Sequence, residues 1–81
     1  MRIDKFLKNA RIIKRRTVAN EACDNQRIVV NGKQVKASYL VKINDIIEVY
    51  FGNRILKVKV LSVNEHASKE TAADQYQIIE D

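Results

Sequence analysis

The sequence predicts an α+β domain in which two helices precede a small set of antiparallel strands. Near the start, apolar residues recur at helical spacing, with Ile3, Phe6, Leu7 and Ala10 at i, i+3, i+4 and i+7. After residue 26 the period becomes extended, and two Asn/Gly pairs, Asn31-Gly32 and Gly52-Asn53, separate β-branched runs as hairpin turns do. With 81 residues, two glycines and no proline, the chain is expected to be one domain, 1–81, with a small core and little room for a deep substrate pocket.

The first helix takes its buried side from that stripe. Asp4 is placed to cap it, since a carboxylate in the first turn accepts from free backbone N–H groups and complements the dipole. At about 100° per residue, Lys5, Lys8 and Arg11 fall on the arc opposite the stripe, so burying the apolar side turns these cations outward together. A second helix is expected from Thr17, a good N-cap residue, with Val18, Ala19, Ala22 and Cys23 forming its apolar side. Asp24, Asn25 and Gln26 end it, with Asn25 best suited to a left-handed cap.

Arg27 to Val30, the Asn31-Gly32 turn and Lys33 to Val35 then read as a hairpin of the type I′ kind. Ile46 to Phe51, the Gly52-Asn53 turn and the run Ile55, Leu56, Val58, Val60 and Val63 read as a second. Residues 65–74 are polar and alanine-containing, which fits a loop or a short helical turn. Tyr76, Ile78 and Ile79 suit a last short strand. Phe6 and Phe51 are expected in the core, and Tyr39 is left open between core and surface.

Charge is distributed unevenly. The first sixteen residues hold Arg2, Lys5, Lys8, Arg11, Lys14, Arg15 and Arg16 against one acid, Asp4. Residues 1–42 carry 11 Lys/Arg against 3 Asp/Glu, whereas residues 43–81 carry 4 against 7. A solvated helix face can also be rich in lysine, but clustering in one half with almost no acids favours polyanion binding. Lys33, Lys36 and Lys42 are available from the hairpin and the loop after it. Arginines beside a helix N-terminus suit phosphate clamping, so Arg16 is expected to matter more than Lys8. A helix pair backed by a hairpin suits the irregular shape of RNA better than the regular groove of DNA. The five aromatic residues do not cluster as a base-stacking platform.

Little else in the sequence offers chemistry. There is no Gly-rich phosphate loop and no recognisable Ser/His/Asp arrangement, so no catalytic residue is assigned and the chain is expected not to be an enzyme. Cys23 and His66 are far apart and no metal site or cofactor is expected; Cys23 reads as a small core residue and His66 as a loop residue. No apolar run approaches the roughly 20 residues of a membrane span, and no signal-peptide stretch opens the chain, so a cytoplasmic protein is expected.

Four segments carry a family likeness: R-I-D-K-F-L, A-R-I-I-K-R-R-T-V-A, R-I-V-V-N-G-K-Q-V-K and V-K-I-N-D-I-I-E-V, in that order. Together they resemble the S4 RNA-binding domain over about residues 1–51, leaving 52–81 as C-terminal strands and tail. The resemblance implies two helices packed on a small, bent antiparallel sheet, the S4-type (αL) fold, with RNA on the helical face and adjoining loops. Two positions depart from the pattern: Gln26 stands where a glycine commonly precedes the first strand, and Asn44-Asp45 stands for Gly-Asp. On the matching positions the resemblance places RNA contacts at Arg2, Lys5, Lys8, Arg11, Lys14, Arg15 and Arg16. Lys33 and Lys36 are added from the hairpin, and Asp4 is given a structural role as a cap or an arginine partner.

Within that family the K-R-R-T segment and the ending D-Q-Y-Q-I-I-E-D resemble a stand-alone bacterial group acting in ribosome-associated quality control. The resemblance implies a monomer that binds large ribosomal subunit rRNA and peptidyl-tRNA. It also implies support for a NEMF-type tailing protein that adds C-terminal alanine to the stalled chain. The alternatives are a heat-shock-type S4 protein recycling blocked large subunits, or a general rRNA-binding assembly factor. A further possibility is that the acidic segment 65–81 docks a basic protein partner.

Overall fold

The apolar stripe at the start folds into α1 (Ile3–Asn9), and Ile3, Phe6 and Leu7 are fully buried. The computed structural model describes residues 1–64 and 71–80. The loop or helical turn expected from residue 65, with His66 in it, therefore lies partly outside the described residues. The remaining elements are α2 (Arg16–Asp24), β1 (Ile28–Val30), β2 (Lys33–Gln34), β3 (Ile46–Phe51), β4 (Arg54–Val60), a 3-10 turn (Ala72–Gln75) and β5 (Tyr76–Ile78). All strand pairs are antiparallel, in the order β2-β1-β3-β4-β5.

Both helices end in the same way. Beyond α1, the Arg11 N–H donates to the Lys8 carbonyl and the Ile12 N–H to that of Leu7. Beyond α2, the Gln26 N–H donates to Cys23 and the Arg27 N–H to Ala22. These are paired Schellman bonds, and they place Arg11 (φ 58°) and Gln26 (φ 60°) in the left-handed region. The expectation that Asn25 takes this conformation is thus corrected by one residue: Asn25 has φ −91° and only closes the last turn. Because a Cβ is crowded at such φ, Gln26→Gly is expected to raise stability by about 0.5–1 kcal/mol, strain relief less the extra freedom of the unfolded chain. A lower melting temperature would show that the Gln26 side chain outweighs its backbone strain.

The start of α2 also differs from expectation. Its N-cap is Arg15, extended and without a side-chain cap bond, and the helix begins at Arg16 instead of Thr17. Ala19 and Cys23 face the core as expected, but Val18 is 47% exposed, one position off the buried stripe.

The two tight turns follow their residue chemistry. Asn31 and Gly32 both have positive φ between the paired Val30 and Lys33, as a type I′ turn requires. In the β3–β4 turn only Gly52 does, which fits type II′. Asn44 also has positive φ, 77°, so the substitution of Asn for Gly in the Asn44-Asp45 pair keeps the left-handed backbone.

The core lies between the helices and one face of the sheet. Register places Ile28 opposite Val49, Val30 opposite Ile47, and Ile47 opposite Val58, so their side chains share the face that meets Phe6 and Leu7. Phe51, on the same alternation, lies at the last pair before the turn and is 45% exposed, contrary to its expected core position. Val63 lies beyond β4, which ends at Val60.

The connection from β2 to β3 passes beside the N-terminus. Its Val41 N–H donates to the Met1 carbonyl at 2.9 Å, the Ile3 N–H donates to the Tyr39 carbonyl at 2.7 Å, and Arg2 pairs with Leu40 as an isolated antiparallel bridge. Residues 1–3 are thereby fixed to the body of the domain.

Candidate nucleic-acid interface

Packing of α1 on α2 brings Arg16 to two charges near the start of the chain, Arg2 and Asp4. Asp4, in the first turn of α1, is 2% exposed. Arg2 meets it as a fork, Nε at 3.3 Å from Oδ1 and Nη2 donating to Oδ2 at 3.3 Å. From the first residue of α2, Arg16 Nε stands 3.4 Å from Oδ2. One helical turn on, Asn20 Nδ2 donates to the same oxygen at 3.3 Å, while the Lys5 backbone N–H donates to Oδ1 at 2.8 Å. Both arginine side chains remain about half exposed, 46% and 47%. The helix N-cap is Arg2, without a side-chain cap bond.

Burial by itself would raise the Asp4 carboxyl pKa, but the bonds from Asn20, Arg16 and the Lys5 N–H outweigh it and hold the group below its ordinary value. Asp4 is therefore a permanent anion near neutral pH. It neutralises one of the two guanidinium charges and fixes the orientation of both, leaving a pre-set pair of planar donors at the surface.

A second group of cations surrounds the left-handed corner. Lys8, Arg11 and Lys14, with Asn9, line an open concavity of about 540 Å3. All three are exposed, and among the described residues the lining of the hollow is basic apart from Asn9. Because α1 stops at Asn9, Arg11 leaves the helical arc on which Lys5 and Lys8 sit, and it is the corner that turns it toward Lys14. Lys5 is half-buried on α1, and Arg15 is exposed at the α2 cap.

The hairpin lysines stand apart from these groups. Lys33 is exposed on β2, and Lys36 borders a different shallow groove with Cys23, Asp24, Gln26, Gln34 and Val35. Neither lines the Arg2/Asp4/Arg16 cluster or the Lys8 hollow.

Asn20 is the residue of this cluster that sequence reasoning did not single out. Its signal was the four-residue spacing from Arg16, which puts both on one side of α2. Tyr39, left open between core and surface, packs beside the core and donates its hydroxyl to Asp45 Oδ2 at 2.8 Å.

Cys23 is buried, 4% exposed, and its thiol is pushed up to about 11 by burial, with the charges of Asp4 and Asp24 adding to it. Against an ordinary value of 9.0, alkylation of the folded protein at pH 8 is expected to be slower than that of the unfolded chain by about a hundredfold on thiolate population. Iodoacetamide labelling followed by mass spectrometry checks this, and equal rates would mean that the helix opens readily. Among the described residues no group of three His, Cys, Asp or Glu converges as metal ligands, and no helix is long and apolar enough to cross a membrane.

A family model, the S4 domain, matches residues 1–47. The RQC P-site tRNA stabilizing factor of Streptococcus pneumoniae is 54% identical over 79 residues, covering 98% of this chain and 90% of that protein. The protein of the same name from Bacillus subtilis is 47% identical over 81 residues, covering 100% of this chain and 94% of that one. Among solved structures, trimeric Heat Shock Protein 15 of Vibrio cholerae superposes with a TM-score of 0.89 at 24% identity, over 98% of this chain and 81% of that one, a likeness of fold.

Proposed function

We propose, from the premise that this chain belongs to the S4 domain family, that it is a non-enzymatic RNA-binding factor of ribosome-associated quality control. It binds the large ribosomal subunit that still carries peptidyl-tRNA and touches both rRNA and tRNA. Holding the tRNA in place, it supports C-terminal alanine tailing of the nascent chain by a NEMF-type partner. It acts in the cytoplasm, as a monomer, without a cofactor.

The observation that carries this reading is the arginine pair on Asp4: two half-exposed guanidiniums held in fixed orientation by one buried carboxylate. Such a pair suits phosphate oxygens, whose recognition is geometric for arginine and rests on shape in folded RNA. Lys8, Arg11 and Lys14 add a hollow lined by three cations for further backbone contacts. The Streptococcus and Bacillus relatives are named as factors stabilizing P-site tRNA, which supports the placement beside tRNA. Lys33 and Lys36 contribute from the hairpin side as a separate, weaker contact.

Co-sedimentation with large subunits, with and without peptidyl-tRNA, across a salt series tests the reading. Binding that strengthens with peptidyl-tRNA and falls steeply with salt is expected, because each phosphate neutralised releases counterions. Equal binding to vacant subunits would favour an assembly role, and binding to neither would overturn the proposal.

A further inference from the structure

Arg2 is held twice, at its side chain by Asp4 and at its backbone by residues 37–41. The bonds on either side of it, Val41 N–H to the Met1 carbonyl and Ile3 N–H to the Tyr39 carbonyl, make a two-bond clasp, and a longer bond runs from the Asp4 N–H to the Ala37 carbonyl at 3.4 Å. The clasping segment belongs to no strand; it pairs with residues 1–4 through its backbone, and its Ala37 and Val41 share the buried cluster that holds Ile3.

Beside that apolar packing, the polar anchor of the segment is Asp45, 7% exposed. One carboxylate oxygen accepts from the Tyr39 hydroxyl at 2.8 Å and from the Lys42 N–H at 3.0 Å; the other accepts from Asn31 Nδ2 at 3.0 Å. Asn31 Oδ1 in turn accepts from the Ile46 N–H at 2.9 Å, tying the knot to the first residue of β3. Burial would raise the Asp45 carboxyl, but the Lys42 N–H, the Tyr39 hydroxyl and Asn31 outweigh it and keep the group ionised near neutral pH. A chain of hydrogen bonds thus runs from the sheet through Asp45 and Tyr39 to the backbone on either side of Arg2.

We infer that Tyr39, through its hydroxyl on Asp45, is a positioning residue for Arg2 in RNA binding. The inference rests on the proposed role of Arg2 as a phosphate contact. Tyr39 touches no RNA on this account. Without its hydroxyl bond the 37–41 clasp samples more conformations, and RNA binding must then order Arg2, which lowers apparent affinity by the fraction of molecules correctly arranged.

Four proteins test this: wild type, Tyr39→Phe, Arg2→Ala and the double variant, each titrated by co-sedimentation against large ribosomal subunits carrying peptidyl-tRNA. The ring of Tyr39 packs beside the core and is kept in Tyr39→Phe, so the fold is retained. Tyr39→Phe is expected to weaken binding roughly three- to tenfold, the range for one hydrogen bond. In the Arg2→Ala background the same change is expected to have less than about a twofold effect, because there is no arginine left to position. Amide exchange at Ile3 and Val41 should quicken while that at Val49 and Val58 stays slow. A merely structural role would lower binding by the same factor in both backgrounds, and that result overturns the inference, as does unchanged affinity or unchanged exchange at Ile3 and Val41. If Arg2→Ala binds like wild type, the reading of Arg2 as an RNA contact fails first and the inference with it. Asp45→Asn, which keeps the shape but removes the charge, must show the same dependence on Arg2.

Discussion

Replacing Arg2 and Arg16 together by alanine is expected to lower affinity for large subunits carrying peptidyl-tRNA by about a hundredfold at moderate salt. Each guanidinium making a charge-assisted phosphate contact contributes about 1.5–3 kcal/mol, roughly a factor of ten or more. The logarithmic salt slope should shrink by about two, one for each phosphate no longer neutralised. The two arginines also hold a buried carboxylate, so the double variant leaves Asp4 with Asn20 and the Lys5 N–H alone. Some loss of melting temperature is therefore expected, and it has to be separated from lost binding. Adding Asp4→Asn to the double variant removes the stranded charge: melting temperature should recover while binding stays weak. Recovery of binding along with stability would show that the arginines act only on the fold. Lys8→Ala, by contrast, should cost about tenfold or less and leave melting unchanged, since that side chain is exposed.

Asp4→Ala is expected to be the most damaging single change on the interface, acting on stability and binding at once. It removes the acceptor for Arg2, Arg16, Asn20 and the Lys5 N–H. Both guanidiniums are about half exposed and find water when released, so the penalty is less than for a fully buried pair, about 2 kcal/mol. For a domain of this size that corresponds to a fall of roughly 10 °C in melting temperature. Binding should drop as well although net positive charge rises by one, because the cations are no longer held in place. Tighter binding by Asp4→Ala would mean that total charge, not arrangement, drives association. Acid has a related effect. The Asp4 and Asp45 carboxyls are both held below their ordinary 3.8 in the folded protein. Their contribution is complete above 3.8 and is lost as pH falls below it toward the folded values. Melting temperature should therefore be steady from neutral pH to about 5 and fall below about 4, with a shallower acid limb in Asp4→Ala.

Local patterns were sufficient for much of this molecule. The i, i+3, i+4 stripe of Ile3, Phe6, Leu7 and Ala10 specifies both α1 and its buried side, because a seven-residue helix can bury only one face. The Asn31-Gly32 and Gly52-Asn53 pairs specify the turns, because few residues accept positive φ. The crowding of cations into residues 1–16 is likewise visible in the bare string. What the string could not supply is which cations meet. That Arg2 and Arg16 converge on Asp4 depends on how α1 packs against α2, and that Arg11 turns toward Lys14 depends on a left-handed corner taken by an arginine where glycine is the usual choice. The separation of Lys33 and Lys36 from both clusters and the clasp of Tyr39 and Val41 on the N-terminus arise from how segments far apart in sequence pack, while Phe51 is exposed because β3 ends there, at the pair beside the turn. Periodicity reports the environment of a side chain relative to its own helix or strand; the meeting of charges across elements is set by the packing of those elements, which no local pattern encodes.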